Sequence, residues 1–446
     1  MHRPLPVFQI APLTPDYALF YTPGYLAAVR AELAGEFRES IAPEAPARWA
    51  AAVDLRRHAL AALQAREALA ADPYAPFCLT LYLNNDCNLA CHYCFSADGA
   101  KRPGGGARLA LETIRAAAAL VARNCALASR PGTVVFHGGG EPTLDPDALR
   151  AALAVVTEAA AAHGLQLFRY IATNGVMPAA TARWVAEHFD LVGLSCDGPA
   201  PLQARQRPMQ GDADTTPFVW RTAEIVRAAG KPLHVRVTVT PATLAMQAQI
   251  AEYVCQALHP TEIHVEPVYQ GGRAGAAVWD EACAEAFVAE FWRARGVARS
   301  YGVRWLSTGS RPGDVHGPYC QIARQVLQVG PSGQAAACFK TVIPAPDRLS
   351  AQSLGGLDPA GDFGLDLPLI ETLRQALRRE PAACAECFNR YHCVRGCPDH
   401  CALDGDLGLS MFRCQVQRRL SLAYLHETAA ALCQTGQPVI GAIVRF

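Results

Sequence analysis

The chain has 446 residues, 51% of them hydrophobic, enough to bury the core of one large domain and a smaller one. Lys plus Arg and Asp plus Glu both number 40, with no basic block, which speaks against nucleic acid as the main partner. The opening segment MHRPLPVFQIAPLTPDYALF lacks the apolar core of a signal peptide, and no charge-free apolar run reaches the about 20 residues of a membrane span, so the expectation is a cytoplasmic protein with no membrane partner.

Residues 1–76 read as a small α+β unit. Short β-like pieces at Val7–Ile10 and Ala18–Tyr21 precede a helical stretch near Pro46–Ala71, which the Asp72-Pro73 breaker ends. From Phe77, β-rich runs appear at Cys78–Leu83, Thr133–His137, Leu167–Ile171, Leu191–Ser195, His234–Thr240 and Glu262–Val268. Helical stretches lie between them at Leu109–Ala128, Asp145–Ala162, Ala179–His188, Thr215–Ala229 and Ala242–Leu258, and another follows near Asp280–Tyr301. Six βα units in series predict an α/β fold with a parallel sheet and helices outside. Right-handed crossovers would curl it into a partial (β/α)6 TIM-type barrel over residues 77–303, with chemistry at the C-terminal ends of the strands. Residues 304–446 read as a loop-rich domain with a helix near Met411–Cys433. The apolar tail Pro438–Phe446 is suited to docking as a strand.

Seventeen cysteines, an odd number, point in a cytosolic chain to metal or catalysis rather than a disulfide framework. Cys87-x3-Cys91-x2-Cys94 follows the first barrel strand directly. Three thiolates on one loop can ligate three irons of a cubane cluster and leave the fourth iron open. A zinc site or three core cysteines would give the same spacing, although structural zinc wants four protein ligands and His92, inside the loop, is an awkward fourth. The next strands end in His137-Gly138-Gly139-Gly140-Glu141-Pro142, Thr173-Asn174-Gly175 and Ser195-Cys196-Asp197-Gly198-Pro199. These place glycines and short polar side chains on the face where barrel sites form.

On these motifs the chain resembles the radical S-adenosylmethionine (SAM) superfamily over roughly Phe77–Tyr301. Cys87-x3-Cys91-x2-Cys94 matches its cluster motif and Gly139-Gly140-Glu141-Pro142 its GGEP motif. The resemblance implies a 4Fe-4S cluster on Cys87, Cys91 and Cys94, with SAM on the open iron. It implies further that the GGEP turn meets the methionyl amino group, that Asn174, Ser195 and Asp197 lie toward the ribose or methionyl end, and that Tyr93 and Phe95 lie near the adenine. The family's chemistry is homolysis of SAM to a 5′-deoxyadenosyl radical that takes a hydrogen from an unactivated carbon.

A second cysteine set comprises Cys320, Gly333-x4-Cys338, Cys384-x2-Cys387-x5-Cys393-x3-Cys397 and Cys414. Alone, the paired spacings would also suit a zinc ribbon. In this order they resemble the SPASM extension of radical SAM enzymes, which carries two auxiliary 4Fe-4S clusters. The resemblance implies one cluster on Cys384, Cys387, Cys393 and Cys414, and another on Cys320, Cys338 and Cys397. No cysteine occurs in Gln321–Leu327, so the latter cluster either keeps an open iron or takes Cys401. Cys78, Cys125, Cys196, Cys255, Cys283 and Cys433 read as buried small residues.

SPASM enzymes mostly modify peptides or proteins. Ser195-x-Asp197-Gly198-Pro199 followed by Gln206-Arg207-Pro208 resembles the strand-four region of sulfatase maturases and ribosomal-peptide maturases. Residues 1–76 would then be a leader-peptide binding unit or a plain barrel cap. Sulfatase maturases carry an aspartate directly after the cysteine matching Cys338, where this chain has Phe339 and Lys340, so formylglycine formation from Cys or Ser ranks second. The leading expectation is a maturase that cross-links a ribosomally made precursor peptide through a thioether, C–C or C–O bond, supplied with electrons by a flavodoxin- or ferredoxin-type reductant. Asp197 and Lys340 are the candidate catalytic residues, with Glu266 and His137 also near predicted loop ends; for each, a hydrogen-bonded structural role ranks first. His264 reads as packed. A non-catalytic iron–sulfur carrier is the reading from another class, and the SAM motifs argue against it.

Overall fold

The structure, a computed structural model, describes residues 5–46, 48–94, 96, 106–211, 213–268, 279–317, 320–338, 352–378, 380, 382–393 and 412–444. Its strands are β1 (Phe8–Ile10), β2 (Tyr17–Thr22), β3 (Tyr25–Arg30), β4 (Cys78–Leu81), β5 (Gly132–Phe136), β6 (Leu167–Thr173), β7 (Leu191–Ser195), β8 (Leu233–Val239), β9 (Glu262–Pro267), β10 (Arg304–Leu306), β11 (Val326–Val329), β12 (Gln334–Ala336), β13 (Ser353–Leu357), β14 (Phe363–Leu365) and β15 (Val439–Ile443).

The central sheet runs β10-β9-β8-β7-β6-β5-β4-β11-β12-β13-β14. Every pairing from β10 to β11 is parallel, and β12 to β14 add antiparallel strands at one edge. Helices Leu111–Leu127, Pro146–Ala161, Ala179–His188, Thr216–Ala228, Gln247–Leu258 and Glu281–Ser300 make the crossovers. The result is an α/β fold with an open, mostly parallel sheet, a partial TIM-type barrel. In β8, Leu233, Val235, Val237 and Val239 are buried on the helix side, so His234, Arg236 and Thr238 share the opposite, inner face. The same alternation gives β9 an inner face of Glu262, His264 and Glu266. Apart from Glu262, these inner-face residues keep partial exposure, so the inner face is open to solvent rather than packed dry.

The stretch after Gly302 is more regular than its Gly- and Pro-rich sequence suggests. β10 is a seventh parallel strand, and β11 pairs in parallel with β4, so the sheet grows at both edges. Helix Leu367–Arg378 buries Ile370, Leu373 and Leu377.

β1, β2, β3 and β15 form a second, antiparallel sheet in that order. Pro23-Gly24 turns the β2–β3 hairpin, with Gly24 at φ +82°, the conformation a type II turn requires at that position. Both faces of this sheet are covered. Phe20, Val29, Phe37 and Leu55 form one core, and Leu19, Tyr21 and Leu26 pack on Leu425, Ala429 and Leu432 of helix Phe412–Cys433 in another. Hence every residue of β2 is buried, and the strand shows no alternation. The expected docking strand in Pro438–Phe446 is β15, which runs beside β3 from Val439↔Val29 to Ile443↔Tyr25. Among the described residues, no helix is long and apolar enough to cross a membrane.

Candidate active site

The cysteine loop leaves β4 and is clamped from three directions. The first clamp is the glycine turn after β5. The Gly140 N–H donates to the Asn84 carbonyl at 3.2 Å, the Glu141 N–H donates to the Asp86 carbonyl at 2.7 Å, and the Asn84 amide returns a bond to the Glu141 carbonyl at 3.3 Å. A Cβ on Gly140 would lie 1.9 Å from the Asp86 carbonyl oxygen, and one on Gly138 would lie 1.7 Å from that of Gly140. Backbone-to-backbone approach therefore dictates glycine here. Pro142 opens a 3-10 turn that the Glu141 side chain caps.

The Glu141 carboxylate points inward, 3% exposed. It accepts from the Thr173 hydroxyl at 2.6 Å, the Asn174 N–H at 2.7 Å, the Thr143 hydroxyl at 2.7 Å and the Thr143 N–H at 3.1 Å. Burial raises its pKa against the pull of these four donors. This carboxylate fixes the end of β6, and with it Asn174, whose amide reaches Asn88 Oδ1 at 2.9 Å and Cys87 Sγ at 3.8 Å.

The second clamp is the segment after helix Ala200–Gln206. His92 N–H donates to Gln206, Ala90 N–H to Pro208, and Gln210 N–H to Asn88, at 3.0, 2.8 and 2.9 Å. The third clamp is a buried polar group. Tyr93 donates to Asp197 Oδ2 at 2.6 Å and accepts from Arg207, while Gln206 and the Thr238 N–H each bond Asp197 at 3.0 Å. Burial pushes both Tyr93 and Asp197 up, with Arg207 opposing it. Asp197, the expected SAM contact and base, is 0% exposed, and its carboxylate accepts from Tyr93, Gln206 and the Thr238 N–H, which sets it against the Tyr93 hydroxyl. Ser195, half-buried, ends β7 opposite Arg236.

Among the described residues, the one trio of His, Cys, Asp or Glu ligand atoms within 4.8 Å of one another lies on β8 and β9. Cys87, Cys91 and Cys94 stand apart from that trio, on the one loop after β4, and three thiols on one loop suit a multi-iron cluster with one open iron. The Leu89 N–H donates to Cys87 Sγ at 3.4 Å, as cluster sulfurs favour. Burial pushes the Cys87 thiol up to about 12, so the positive charge of a bound metal would be needed to deprotonate it.

Cys384, Cys387, Cys393 and Cys414 are among the described members of the second cysteine set. Cys387 N–H donates to the Cys384 carbonyl at 3.1 Å, and Cys393 N–H to the Asn389 carbonyl at 2.7 Å. Cys393 Sγ donates to Gln417 at 2.9 Å, on the helix that carries Cys414 one turn earlier. Cys320 precedes the short helix Gln321–Arg324 that leads into β11, and Cys338 follows β12, so the pair flanks one hairpin. Phe95, Phe339, Lys340, Cys397 and Cys401 lie outside the described residues.

Residues 81–253 match the family described as the radical SAM superfamily. The chain carries a radical SAM domain. That domain implies SAM and a 4Fe-4S cluster. The chain is similar to mycofactocin maturase MftC of Mycobacterium ulcerans (strain Agy99), 27% identical over 341 residues, 72% of this chain and 83% of that protein. In fold it is similar to native anSMEcpe with bound AdoMet, with a TM-score of 0.62 and 19% identity, covering 81% of this chain and 100% of that one. It is also similar to Streptococcus suis SuiB bound to precursor peptide SuiA, at 0.52 and 16%, covering 78% and 77%.

In the radical SAM domain the support residues Asn84, Asp86, Asn88, Arg207 and Gln210 were invisible as site residues, because their work is done by backbone groups and buried pairs rather than by a motif. Arg207 lies in a stretch legible only as a family resemblance, yet it braces Tyr93 inside the cysteine loop. Of the other base candidates, Glu266 accepts from Thr308 N–H at 2.6 Å and from Arg413 at 3.3 Å, tying β9 to helix Phe412–Cys433. His137 stacks on Tyr82, and burial together with Arg236 brings its pKa down to about 4.

Proposed function

We propose that this chain is a radical SAM maturase that cross-links a ribosomally made precursor peptide. Cys87, Cys91 and Cys94 would hold the cluster that binds SAM, with Tyr93, Phe95, Gly139–Pro142, Asn174, Ser195 and Asp197 around the SAM molecule. The observation that carries this reading is the glycine turn bonded to the cysteine loop, with Glu141 holding Asn174 against Cys87. When bound there, cluster and SAM supply a 5′-deoxyadenosyl radical that abstracts hydrogen from carbon.

The inner faces of β8 and β9 offer a polar cavity wall for a peptide backbone and its side chains. Similarity to a protein named as a maturase, and in fold to a protein solved with its precursor peptide, supports peptide as the substrate class. Forming the cross-link removes two hydrogens from the peptide: one as an atom, the other as a proton and an electron. Asp197 and Lys340 are the candidates to take the proton. Cys384, Cys387, Cys393 and Cys414, and Cys320, Cys338 and Cys397, would hold auxiliary clusters able to take the electron. A flavodoxin- or ferredoxin-type protein would reduce the SAM-binding cluster.

The test is anaerobic incubation of reduced protein with SAM and a peptide encoded beside the gene. Formation of 5′-deoxyadenosine together with a peptide lighter by two hydrogens and carrying a new internal bond is expected. A Cys or Ser converted to formylglycine would instead favour sulfatase-type maturation. No 5′-deoxyadenosine with the cognate peptide present would point to an iron–sulfur carrier.

A further inference from the structure

One rung of the barrel wall carries side chains that the SAM site does not use. Gly193, His234, Glu262 and Arg304 stand in register on four adjacent parallel strands, β7 to β10. His264 stands one rung higher, level with Arg236 and Ser195. Val235, Ile263, Val265 and Trp305 are buried on the opposite face, so the two histidines and Glu262 look into the barrel.

Glu262 gathers the group. Its Oε1 lies 2.5 Å from His264 Nε2 and 3.6 Å from His234 Nδ1, while its Oε2 is ion-paired with Arg304. The three ligand atoms all fall within 4.8 Å of one another, a condition that no other trio among the described residues meets. His264 is therefore not simply packed into its strand.

We infer that His234 Nδ1, His264 Nε2 and Glu262 Oε1 form a binding site for a divalent transition-metal ion. Two imidazoles and one carboxylate are a donor set that suits zinc or ferrous iron and leaves coordination positions open. Zinc bonds of about 2.0–2.1 Å place tetrahedral ligands about 3.3 Å apart. The His234–Glu262 distance is near that value, and the His264–Glu262 contact would open by less than about 1 Å. Arg304 occupies the second carboxylate oxygen, which turns Glu262 toward one-oxygen ligation and fixes its direction. The histidine side chains keep 22% and 21% exposure, so an ion can reach them from the cavity. Positions left open by the protein would face that cavity, one rung below Ser195, within reach of a substrate carboxylate or carbonyl.

The experiment uses cluster-reconstituted holoprotein equilibrated anaerobically with zinc and freed of excess. Zinc and iron are counted together, and zinc-edge X-ray absorption reports the ligand atoms. The expected result is one zinc per chain with nitrogen and oxygen neighbours and iron unchanged. The His234→Ala/His264→Ala variant should lose that zinc while keeping its iron. Glu262→Gln, which preserves shape, should weaken binding at least tenfold. No retained zinc, zinc with sulfur neighbours only, or equal zinc in wild type and the double variant would each overturn the assignment. The readout does not involve SAM cleavage, so failure here leaves the maturase reading untouched.

Discussion

A methyl group at position 140 would sit 1.9 Å from the carbonyl oxygen of Asp86, an atom of a backbone that cannot swing aside. Gly140→Ala should therefore cost about 3 kcal/mol or more, at or beyond the upper end of overpacking changes, and it should part the glycine turn from the cysteine loop. The expected outcome is protein that folds around its sheet but retains several-fold less iron after reconstitution and makes correspondingly less 5′-deoxyadenosine. A nearby group sets a pH effect. His137 is held neutral, with its pKa lowered to about 4 from the usual 6.5. The unfolded chain then binds a proton that the folded one refuses, so stability is full above the unfolded value and falls as pH drops from about 6.5 toward 4. At pH 5 the loss is on the order of 2 kcal/mol. Thermal midpoints at pH 7 and pH 5 check this: the acid-induced drop should be smaller in His137→Gln than in wild type. An equal drop in both would show that His137 does not carry it.

Among the elements, those legible from sequence are the ones whose length shows a period. β4 to β9 and the long helices between them are legible within a few residues, because each apolar run is bounded by a turn and followed by a helix-length stretch; the seven-residue helix Ala200–Gln206 is too short to show a period. β10 and β12 to β14 span three to five residues, too few to display alternation, and their register comes from neighbours far along the chain. β3 is hidden for another reason: it is as fully buried as β2 but reads Leu26-Ala27-Ala28-Val29, with helix-forming alanines where β2 carries aromatics. At the site, the ligand-bearing motifs were readable as residue types at fixed spacing. The clamps were not, because Gln206, Pro208 and Asp86 act through main-chain carbonyls that any residue has. Helix Phe412–Cys433 joins these levels, as it packs on β2 and β3 with one end and carries Cys414 at the other. Leu425 is fully buried in that contact. Leu425→Ala should destabilise the protein by about 2–5 kcal/mol, measured as a lowered thermal midpoint. The cysteine loop, which shares no contact with that core, should keep its iron.

At the scale of the molecule, three cysteine sets predict a heavy metal load. About twelve irons per chain are expected if all three clusters are four-iron cubanes. Replacing Cys87, Cys91 and Cys94 together with alanine should remove about four of them and all SAM cleavage, leaving the rest bound. Cleavage that survives the triple replacement would place the SAM-binding cluster elsewhere.

The strand β15 has a consequence in time as well as in space. Tyr17 bonds the carbonyl of Gln437, 420 residues away, and among the described residues β3 is paired on that edge by Val439–Ile443. Because β3 precedes the barrel and β15 follows it, β3 must wait with an open edge until the barrel and most of the region after it have been synthesised. Slowed translation, or a bulky fusion just beyond β15, should prolong the exposure of β3 and favour aggregation before the metal centres are ever assembled.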